Sequence, residues 1–112
     1  MESIHKPTIR EITEGRDIIK LLSARGTLEI LFIFCCTDQK LRFLELNRIL
    51  NSISTKTLAA RLKELESRGL IFRKAYNEIP PRVEYSLTEK GQTLANSLVP
   101  LLDWIAKENS AK

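Results

Sequence analysis

The fold is decided by residues 53–87, which read ISTKTLAARLKELESRGLIFRKAYNEIPPRVEYSL. Ser54 is a residue type that begins helices, because its hydroxyl accepts a hydrogen bond from a backbone amide one turn later. Apolar residues then recur at helical spacing, at Leu58, Leu62 and Leu65. Gly69 follows where a left-handed residue would end the helix, and Leu70 can fold back on it. The segment therefore predicts a helix over about residues 54–68, with one apolar side and one polar side.

Two extended segments follow this helix. Residues 70–76 and 83–87 are rich in β-branched and aromatic side chains, and they flank a loop, 77–82, with two prolines and an arginine. This pattern predicts a β-hairpin. We therefore expect a mainly α fold with a small antiparallel hairpin, that is, a winged helix-turn-helix. In such a fold the helix enters a DNA major groove, and the hairpin tip, the wing at residues 74–83, reaches the backbone or minor groove.

A short amphipathic segment precedes the recognition helix. Residues 42–50 read RFLELNRIL, which places Phe43 and Leu46 inward, and residues 51–53 make a tight connection. Two short helices joined in this way are typical of a helix-turn-helix. The spacing alone also fits other helical corners, and the hairpin that follows favours the helix-turn-helix. The polar stretch 37–41 before it predicts a turn.

In the N-terminal third of the chain, we expect a loose arm at residues 1–8 followed by helices. A helix over about 9–23 contains Gly15, so we expect it to form two pieces or to begin late. Thr27 can cap a further helix over 28–36 that is apolar on nearly all sides. Such a helix is covered on more than one side, so it lies either at the centre of the domain or against a second subunit.

The C-terminal segment predicts a long helix capped by Thr88. Pro100 interrupts its apolar pattern, and a bend is expected near Asn96. Its exposed apolar side favours packing against the first helices of a partner chain, although it could instead cover its own subunit's core. The residues predicted to form this dimer contact are Ile18, Leu22, Leu98, Leu101, Trp104 and Ile105.

Length and charge are consistent with a single nucleic-acid-binding domain over residues 1–112. The net charge is +4, and all of the excess lies in one part of the chain. Residues 40–82 carry ten basic and four acidic side chains, whereas the rest of the chain carries eight basic and ten acidic ones. A polyanionic partner explains this distribution, and a solvated basic surface without a ligand is the alternative.

Other classes of protein are disfavoured. The N-terminus is polar, and the apolar run 30–36 is far too short to span a bilayer, so we expect a cytoplasmic protein with no membrane partner. The only histidine is His5, and the four glycines are isolated, which argues against an enzyme, a metal site or a cofactor. The adjacent Cys35 and Cys36 cannot easily bridge each other on a helix, and two buried, inert thiols are expected.

Candidate DNA-binding residues follow from position. Those at the start of the recognition helix face bases and phosphates, Arg61 one turn on can reach a guanine edge, and Ser54 serves mainly as the cap. Arg42 and Arg48 are candidates for phosphate contacts, and Lys74 and Arg82 for wing contacts. The full set is Arg42, Arg48, Ser54, Thr55, Lys56, Thr57, Arg61, Lys74 and Arg82. Two alternatives remain, a winged helix that docks on a protein and a regulator that responds to oxidation through Cys35 or Cys36.

With these residues in view, the chain resembles the HxlR family of winged-helix transcriptional regulators, relatives of the MarR group. The similarity covers roughly residues 16–105 and is most specific in the string VEYSLT at 83–88 with Gly91. It also rests on RFLEL at 42–46 and on the segments Ile53-Ser54, Leu58, 62–66, 69–71, Arg73, 81–91, Leu94, Leu98 and Trp104.

The resemblance implies a homodimer, built from the first and last helices, that binds a twofold-symmetric operator and regulates nearby genes. The family pattern has Lys-Trp-Thr where this chain has Arg25-Gly26-Thr27. Many members also carry a reactive cysteine in the first helix, whereas here no cysteine precedes Cys35. The effector, the operator and the direction of regulation do not follow from the sequence.

Overall fold

The computed structural model describes residues 6–37 and 40–110, and this part of the chain is mostly helical with one small sheet. The elements are α1 (Ile9–Glu14), α2 (Arg16–Ser23), α3 (Thr27–Cys35), β1 (Leu41–Arg42), α4 (Phe43–Ile49), α5 (Thr55–Ser67), β2 (Ile71–Tyr76), β3 (Arg82–Leu87) and α6 (Glu89–Ser110). The predicted break at Gly15 is present, since it separates α1 from α2.

Helix α3 lies at the centre of the domain, the first of the two positions that its apolar composition allows. It packs against α2 and α6, and Ile30, Leu31 and Phe34 are buried. Its start differs from the sequence prediction. Gly26, with a φ of 93°, is the N-cap, whereas Thr27 is the first helical residue. The hydroxyl of Thr27 is buried with no hydrogen-bond partner in the described part of the chain, so the prediction that it caps α3 is wrong.

Helix α5 has the predicted bounds and both predicted ends. The Ser54 hydroxyl accepts a hydrogen bond of 3.0 Å from the Thr57 amide. At the other end Gly69, with a φ of 73°, ends the helix, and the Leu70 amide donates to the Leu65 carbonyl at 3.0 Å. The leucines at positions 58, 62 and 65 are buried in the core, so the opposite side of α5 faces outward.

The sheet has three strands rather than the predicted two. Strands β2 and β3 form the hairpin, and β1 pairs with the other edge of β3, giving the antiparallel order β1-β3-β2. Leu41 lies opposite Tyr85, and Arg42 lies opposite Glu84. The expectation that Leu41 belongs to a turn and that Arg42 begins α4 is therefore wrong. Residues 38–39 of that turn lie outside the described residues.

Helix α6 is attached directly to the end of α5. The Thr88 hydroxyl accepts from the Gly91 amide at 3.0 Å, which confirms it as the cap, and it also donates to the Gly69 carbonyl. The Thr88 amide donates to the Leu70 carbonyl at 3.1 Å, and the Lys90 ammonium donates to the Arg68 carbonyl at 3.1 Å.

Helix α6 is a single helix of 22 residues with Pro100 inside it. The bend predicted near Asn96 stays a prediction. From residue 103 to residue 110 every side chain is exposed, so the last turns of α6 extend beyond the core. None of the helices in the described ranges is long and apolar enough to cross a membrane.

Candidate nucleic-acid interface

Three polar side chains at the start of α5, those of Ser54, Thr55 and Thr57, are already hydrogen-bonded within the protein. The Ser54 hydroxyl donates to the Thr57 hydroxyl at 3.0 Å, and the Thr55 hydroxyl donates to the Asn47 side chain on α4 at 3.2 Å. Lys56 lies between them and is exposed. Within residues 6–37 and 40–110 its ammonium has no hydrogen bond or ion pair, so it is the cation most available to an external anion in this turn.

An exposed stripe continues from Lys56 along α5. Ala60 and Lys63 follow at helical spacing and are exposed. Lys63 was not among the predicted site residues, although its position seven residues after Lys56 places it on the same side of the helix. The stripe presents small and cationic side chains without a large apolar residue, which suits close approach to a polyanion.

The recognition helix and the wing meet at a shallow cleft. This cleft, of about 330 Å³, is lined by Ala59, Lys63, Glu66, Arg73 and Tyr85. Arg73 is a second cation that the sequence prediction missed. Strand alternation places it on the same side of β2 as the buried Ile71, and this is the side next to α5. Helix and wing therefore form one continuous surface.

The two cations predicted for the wing differ in how they are held. Arg82 stacks over the Tyr76 ring, with its guanidinium carbon 4.0 Å from the ring centroid. It also lies 3.3 Å from the Glu78 carboxylate and 3.7 Å from that of Glu84. Lys74 lies 5.0 Å from the same ring and is exposed. The charge of Arg82 is thus partly balanced within the wing, whereas that of Lys74 faces outward.

Arg42 and Arg48 lie at opposite ends of α4. Arg42 is the last residue of β1 and the N-cap of α4, and its backbone amide donates to the Glu45 carboxylate at 2.9 Å. Arg48 is in the last turn of the helix. Both side chains are exposed, as a contact to phosphate requires.

Arg61 is placed differently from the other predicted contacts. Its side chain is only 21% exposed, and its guanidinium donates to the Glu64 carboxylate and to the Arg25 carbonyl. The structure therefore does not bring Arg61 into the exposed stripe of Lys56 and Lys63. Its predicted contact to a guanine edge stays a prediction.

The cysteines are more accessible than the sequence predicts. Cys36 is exposed and Cys35 is partly exposed, and neither forms a disulfide. The prediction of two buried thiols is therefore wrong, because α3 ends at Cys35 and Cys36 lies beyond its last turn. Cys36 borders an apolar cleft of about 350 Å³. The Cys35 thiol donates to the Ala95 carbonyl at 3.4 Å, and burial, with a smaller effect of neighbouring Cys36, raises its pKa.

The residues predicted to form a dimer contact fall into two groups. Leu22 and Leu98 pack partly against the core of their own chain, as the alternative interpretation requires, and Ile18 is half-buried. Leu101, Trp104 and Ile105 are exposed, and Trp104 has 61% of its surface open. Ile9, Ile12 and Ile19 of the first two helices are also exposed. The chain's own fold leaves these apolar side chains uncovered.

The described residues contain no group of three or more His, Cys, Asp or Glu side chains that could hold a metal ion. His5 lies outside the described residues. On the exposed side of α5, Lys56 and Lys63 offer cations, which attract anions.

Comparisons with known proteins agree with this geometry. The HTH-type transcriptional regulator BH0655 of Halalkalibacterium halodurans is 41% identical over 92 residues, 82% of this chain and 80% of the relative. The reduced form of the transcriptional regulator YodB from B. subtilis is 32% identical with a TM-score of 0.68, over 90% of this chain and 91% of that one. The redox regulator HypR in its reduced form is 31% identical with a TM-score of 0.75, over 88% and 95%.

The fold and these relatives define a winged helix-turn-helix transcriptional regulator and not an enzyme. More narrowly, the chain belongs to the HxlR-like helix-turn-helix family, whose model matches residues 21–112. The resemblance drawn from the sequence is thereby confirmed.

Proposed function

We propose that this regulator binds double-stranded DNA as a homodimer at an inverted repeat, with α5 in the major groove and the wing on the backbone or minor groove. The observation that carries the proposal is the exposed Lys56 in the first turn of a firmly capped helix, whose ammonium has no partner among the described residues. The N-terminal turn of a helix also presents free amides and the positive end of the helix dipole. A phosphate or a base edge placed there meets several donors together.

The roles of the remaining residues follow from their exposure. Lys63 and Arg73 extend the cationic surface from α5 to the wing, and Lys74 carries it outward along β2. Arg42 and Arg48 supply phosphate contacts at the two ends of α4. Such contacts position the protein on the duplex, whereas side chains reaching base edges supply sequence preference.

Residues that are hydrogen-bonded within the protein contribute less directly. Ser54 holds the first turn of α5 in shape, and the Thr55 and Thr57 hydroxyls can each still accept or donate one further bond. Arg82 supports the wing through Tyr76 and Glu78 and offers the rest of its donors to the backbone. These residues therefore shape the binding surface as well as touch the DNA.

The second copy is supported by the apolar side chains of α6. A contiguous exposed apolar surface on a small domain is typical of a protein–protein contact. Two copies joined through α6 and the first helices would present two recognition helices related by a twofold axis. Such an arrangement reads a twofold-symmetric sequence. We place this regulator in the cytoplasm, where the DNA of the bacterial relative BH0655 lies.

The experiment is selection of bound sequences from random duplex DNA with the purified protein. We expect an inverted repeat with half-site centres about one helical turn, or a multiple of it, apart. A winged helix that docks on a protein would instead retain no duplex at low ionic strength. That result would refute the proposal, as would selection of single, unpaired half-sites by a protein of monomeric mass.

A second candidate function is favoured by the accessibility of Cys36. The neighbour HypR is described as a redox regulator, and here an exposed thiol lies at the end of the central helix beside an apolar cleft. Oxidation or alkylation of Cys36 would place a larger group between α3 and α4 and disturb the helix-turn-helix. The test is DNA binding before and after thiol alkylation, with Cys36→Ser as the control. Identical losses in both proteins would exclude it.

A further inference from the structure

Two arginines connect the recognition helix to the loop between α2 and α3. The Arg61 Nε donates to the Arg25 backbone carbonyl at 2.8 Å, and its Nη1 lies 3.0 Å from both carboxylate oxygens of Glu64. In the opposite direction, the Arg25 side chain donates to the Ser52 carbonyl at 3.2 Å. Each arginine therefore bonds to backbone on the other side of the same junction.

This junction is also closely packed. A Cβ placed on Gly26 would lie 2.9 Å from the Ile53 Cδ1 and 3.8 Å from the Arg61 Cγ. Ile53 is buried in the core. The loop at residues 24–26 thus lies directly against Ile53 and Arg61, and the hydrogen bonds of Arg61 and Arg25 connect it to the second turn of α5 and to the turn at 51–53.

The guanidinium of Arg61 has little left to offer a base. A bidentate contact to guanine uses two parallel donors of one arginine. Here Nε and Nη1 are already engaged, and only about a fifth of the side chain is exposed. Reaching a base edge would require breaking the bond to the Arg25 carbonyl, or the contact with the Glu64 carboxylate, and each of these would have to be replaced by a contact to DNA.

We infer that Arg61 is a positioning residue that sets the orientation of α5 relative to the N-terminal helices, and does not itself read a base. This inference rests on the proposed function, because it concerns how two recognition helices are presented by one dimer. Through α2 and α3 the loop at 24–26 is continuous with the helices expected at the twofold axis. A change in the orientation of α5 therefore occurs in both subunits and alters the distance between the two recognition helices.

The consequence is a preference for one spacing between half-sites. Adding or removing one base pair moves one half-site along the axis and rotates it by about a tenth of a turn. A rigid pair of helices tolerates this poorly, whereas loosely held helices adapt. Arg61 is thus assigned to spacing selectivity, and contacts to base edges are left to other residues of the recognition helix.

The test compares Arg61→Lys, Arg25→Gln and Lys56→Gln with the wild-type protein. Affinity is measured for duplexes that keep the selected half-sites and vary their spacing by one base pair in each direction. We expect the ratio of affinities between the best spacing and its neighbours to fall by about twofold or more in the first two variants, the scale of coupling between residues in contact. Lys56→Gln should leave this ratio unchanged and weaken binding at every spacing.

Arg61→Lys is the decisive variant, and Arg25→Gln supports it: it removes the bond to the Ser52 carbonyl at the same junction and keeps the backbone carbonyl that accepts from Arg61. A base-contact role for Arg61 predicts no effect of Arg25→Gln. Sequence selection with Arg61→Lys gives the second measurement. An unchanged spacing ratio together with relaxed preference at one base pair would overturn the inference and make Arg61 a base reader. A wild-type spacing ratio in Arg61→Lys, whatever its base preference, would also overturn it.

Controls separate this inference from the proposed function and from misfolding. Thermal unfolding of each variant checks the fold, and Glu64→Gln replaces Arg61→Lys if the latter does not fold, since it removes the negative charge that pairs with the same guanidinium. Wild-type protein that binds duplexes without any spacing preference refutes the positioning role and leaves DNA binding intact. Wild-type protein that binds no duplex at low salt refutes the proposed function itself.

Discussion

Gly91 lies in the first turn of α6, directly against the residues that end α5. A Cβ built on it would overlap the backbone carbonyl oxygen of Leu70. That carbonyl is held by the Thr88 amide at 3.1 Å, so it cannot move without breaking the connection between the two helices. The site therefore demands glycine because of close approach, although glycine is a poor helix former.

Gly91→Ala is predicted to destabilise the protein by about 1–3 kcal/mol, the usual cost of overpacking, despite the better helix propensity of alanine. Chemical denaturation measures the change. The matched control is Gly15→Ala, where the new Cβ would lie at ordinary distances of 3.5 Å and 3.6 Å from carbonyl oxygens. It should be neutral or stabilising by up to about 1 kcal/mol. Equal effects of the two substitutions would contradict this account.

The two adjacent cysteines are predicted to differ in reactivity. Burial raises the pKa of Cys35, so less of it is thiolate at a given pH, and its thiol is further held by the Ala95 carbonyl. Cys36 is exposed. Limited alkylation of the folded protein, followed by peptide mass spectrometry, should find the label mainly at Cys36. The labelling of Cys35 should increase as the pH rises toward its raised pKa.

In unfolded protein both cysteines should react at similar rates, which provides the control. Preferential labelling of Cys35 in the native state would mean that the end of α3 is packed differently.

At the scale of elements, the cations of α5 and those of the wing are expected to contribute unequally to DNA binding. Lys56 has no partner in the described part of the chain, whereas the charge of Arg82 is shared with Glu78, Glu84 and the Tyr76 ring. A cation already balanced within the protein releases fewer counterions when it meets a phosphate. From their charges in the sequence alone, Lys56 and Arg82 would be expected to contribute equally to DNA affinity.

Lys56→Gln is therefore predicted to lower the slope of log affinity against log salt by about one unit. Arg82→Gln should lower it by less. The measurement is a salt titration on one duplex. Lys107→Gln is the control, because it makes the same change of charge in the distal part of α6, where Lys107 pairs with Asp103 at 3.0 Å. Identical slopes for all of these proteins would remove Lys56 and Arg82 from the interface.

The sequence predicts the long elements well because their periodicity is strong. The three leucines of α5, the cap at Ser54 and the hairpin are all found where the pattern places them. Strand β1 was missed because two residues cannot display an alternation, and it exists only through pairing with β3. The bond between Arg61 and Arg25 was missed for a related reason, since 36 positions separate the two residues.

Exposure at the ends of elements is also hard to predict. Cys36 follows an apolar run and was expected to be buried with it, but burial depends on where the helix ends relative to its neighbours. Thr27 is the converse case. It has the composition of a cap, yet the left-handed turn at Gly26 carries the chain into α3 and leaves the threonine inside.

At the scale of the whole molecule, the exposed apolar surface of α6 is the feature that favours association with a second copy of the chain. Leu101, Trp104 and Ile105 lie within five residues of each other and are all exposed. In a protein of 112 residues the core is small, and a second copy can supply burial that one chain lacks. Dimer formation and stability are therefore expected to be coupled.

Trp104→Asp is predicted to shift the protein from dimer to monomer, since it places a charge in an apolar contact. Light scattering after size exclusion measures the mass. Because Trp104 is the only tryptophan, its emission in the wild-type protein should also move to longer wavelength on dilution. The control is Ile79→Asp, the same kind of change at a fully exposed residue of the wing loop. A monomeric wild type would refute the prediction.

Hydrogen bonds from Thr88 and Lys90 to the carbonyls of residues 68–70 connect the start of α6 rigidly to the end of α5. A helix of 22 residues is about 33 Å long. Tilting it by about 5° about that connection displaces its far end by about 3 Å by the same geometry. In the proposed dimer, a small rotation where the two copies of α6 meet would thus move both recognition helices together, and the two subunits would bind or release the operator together.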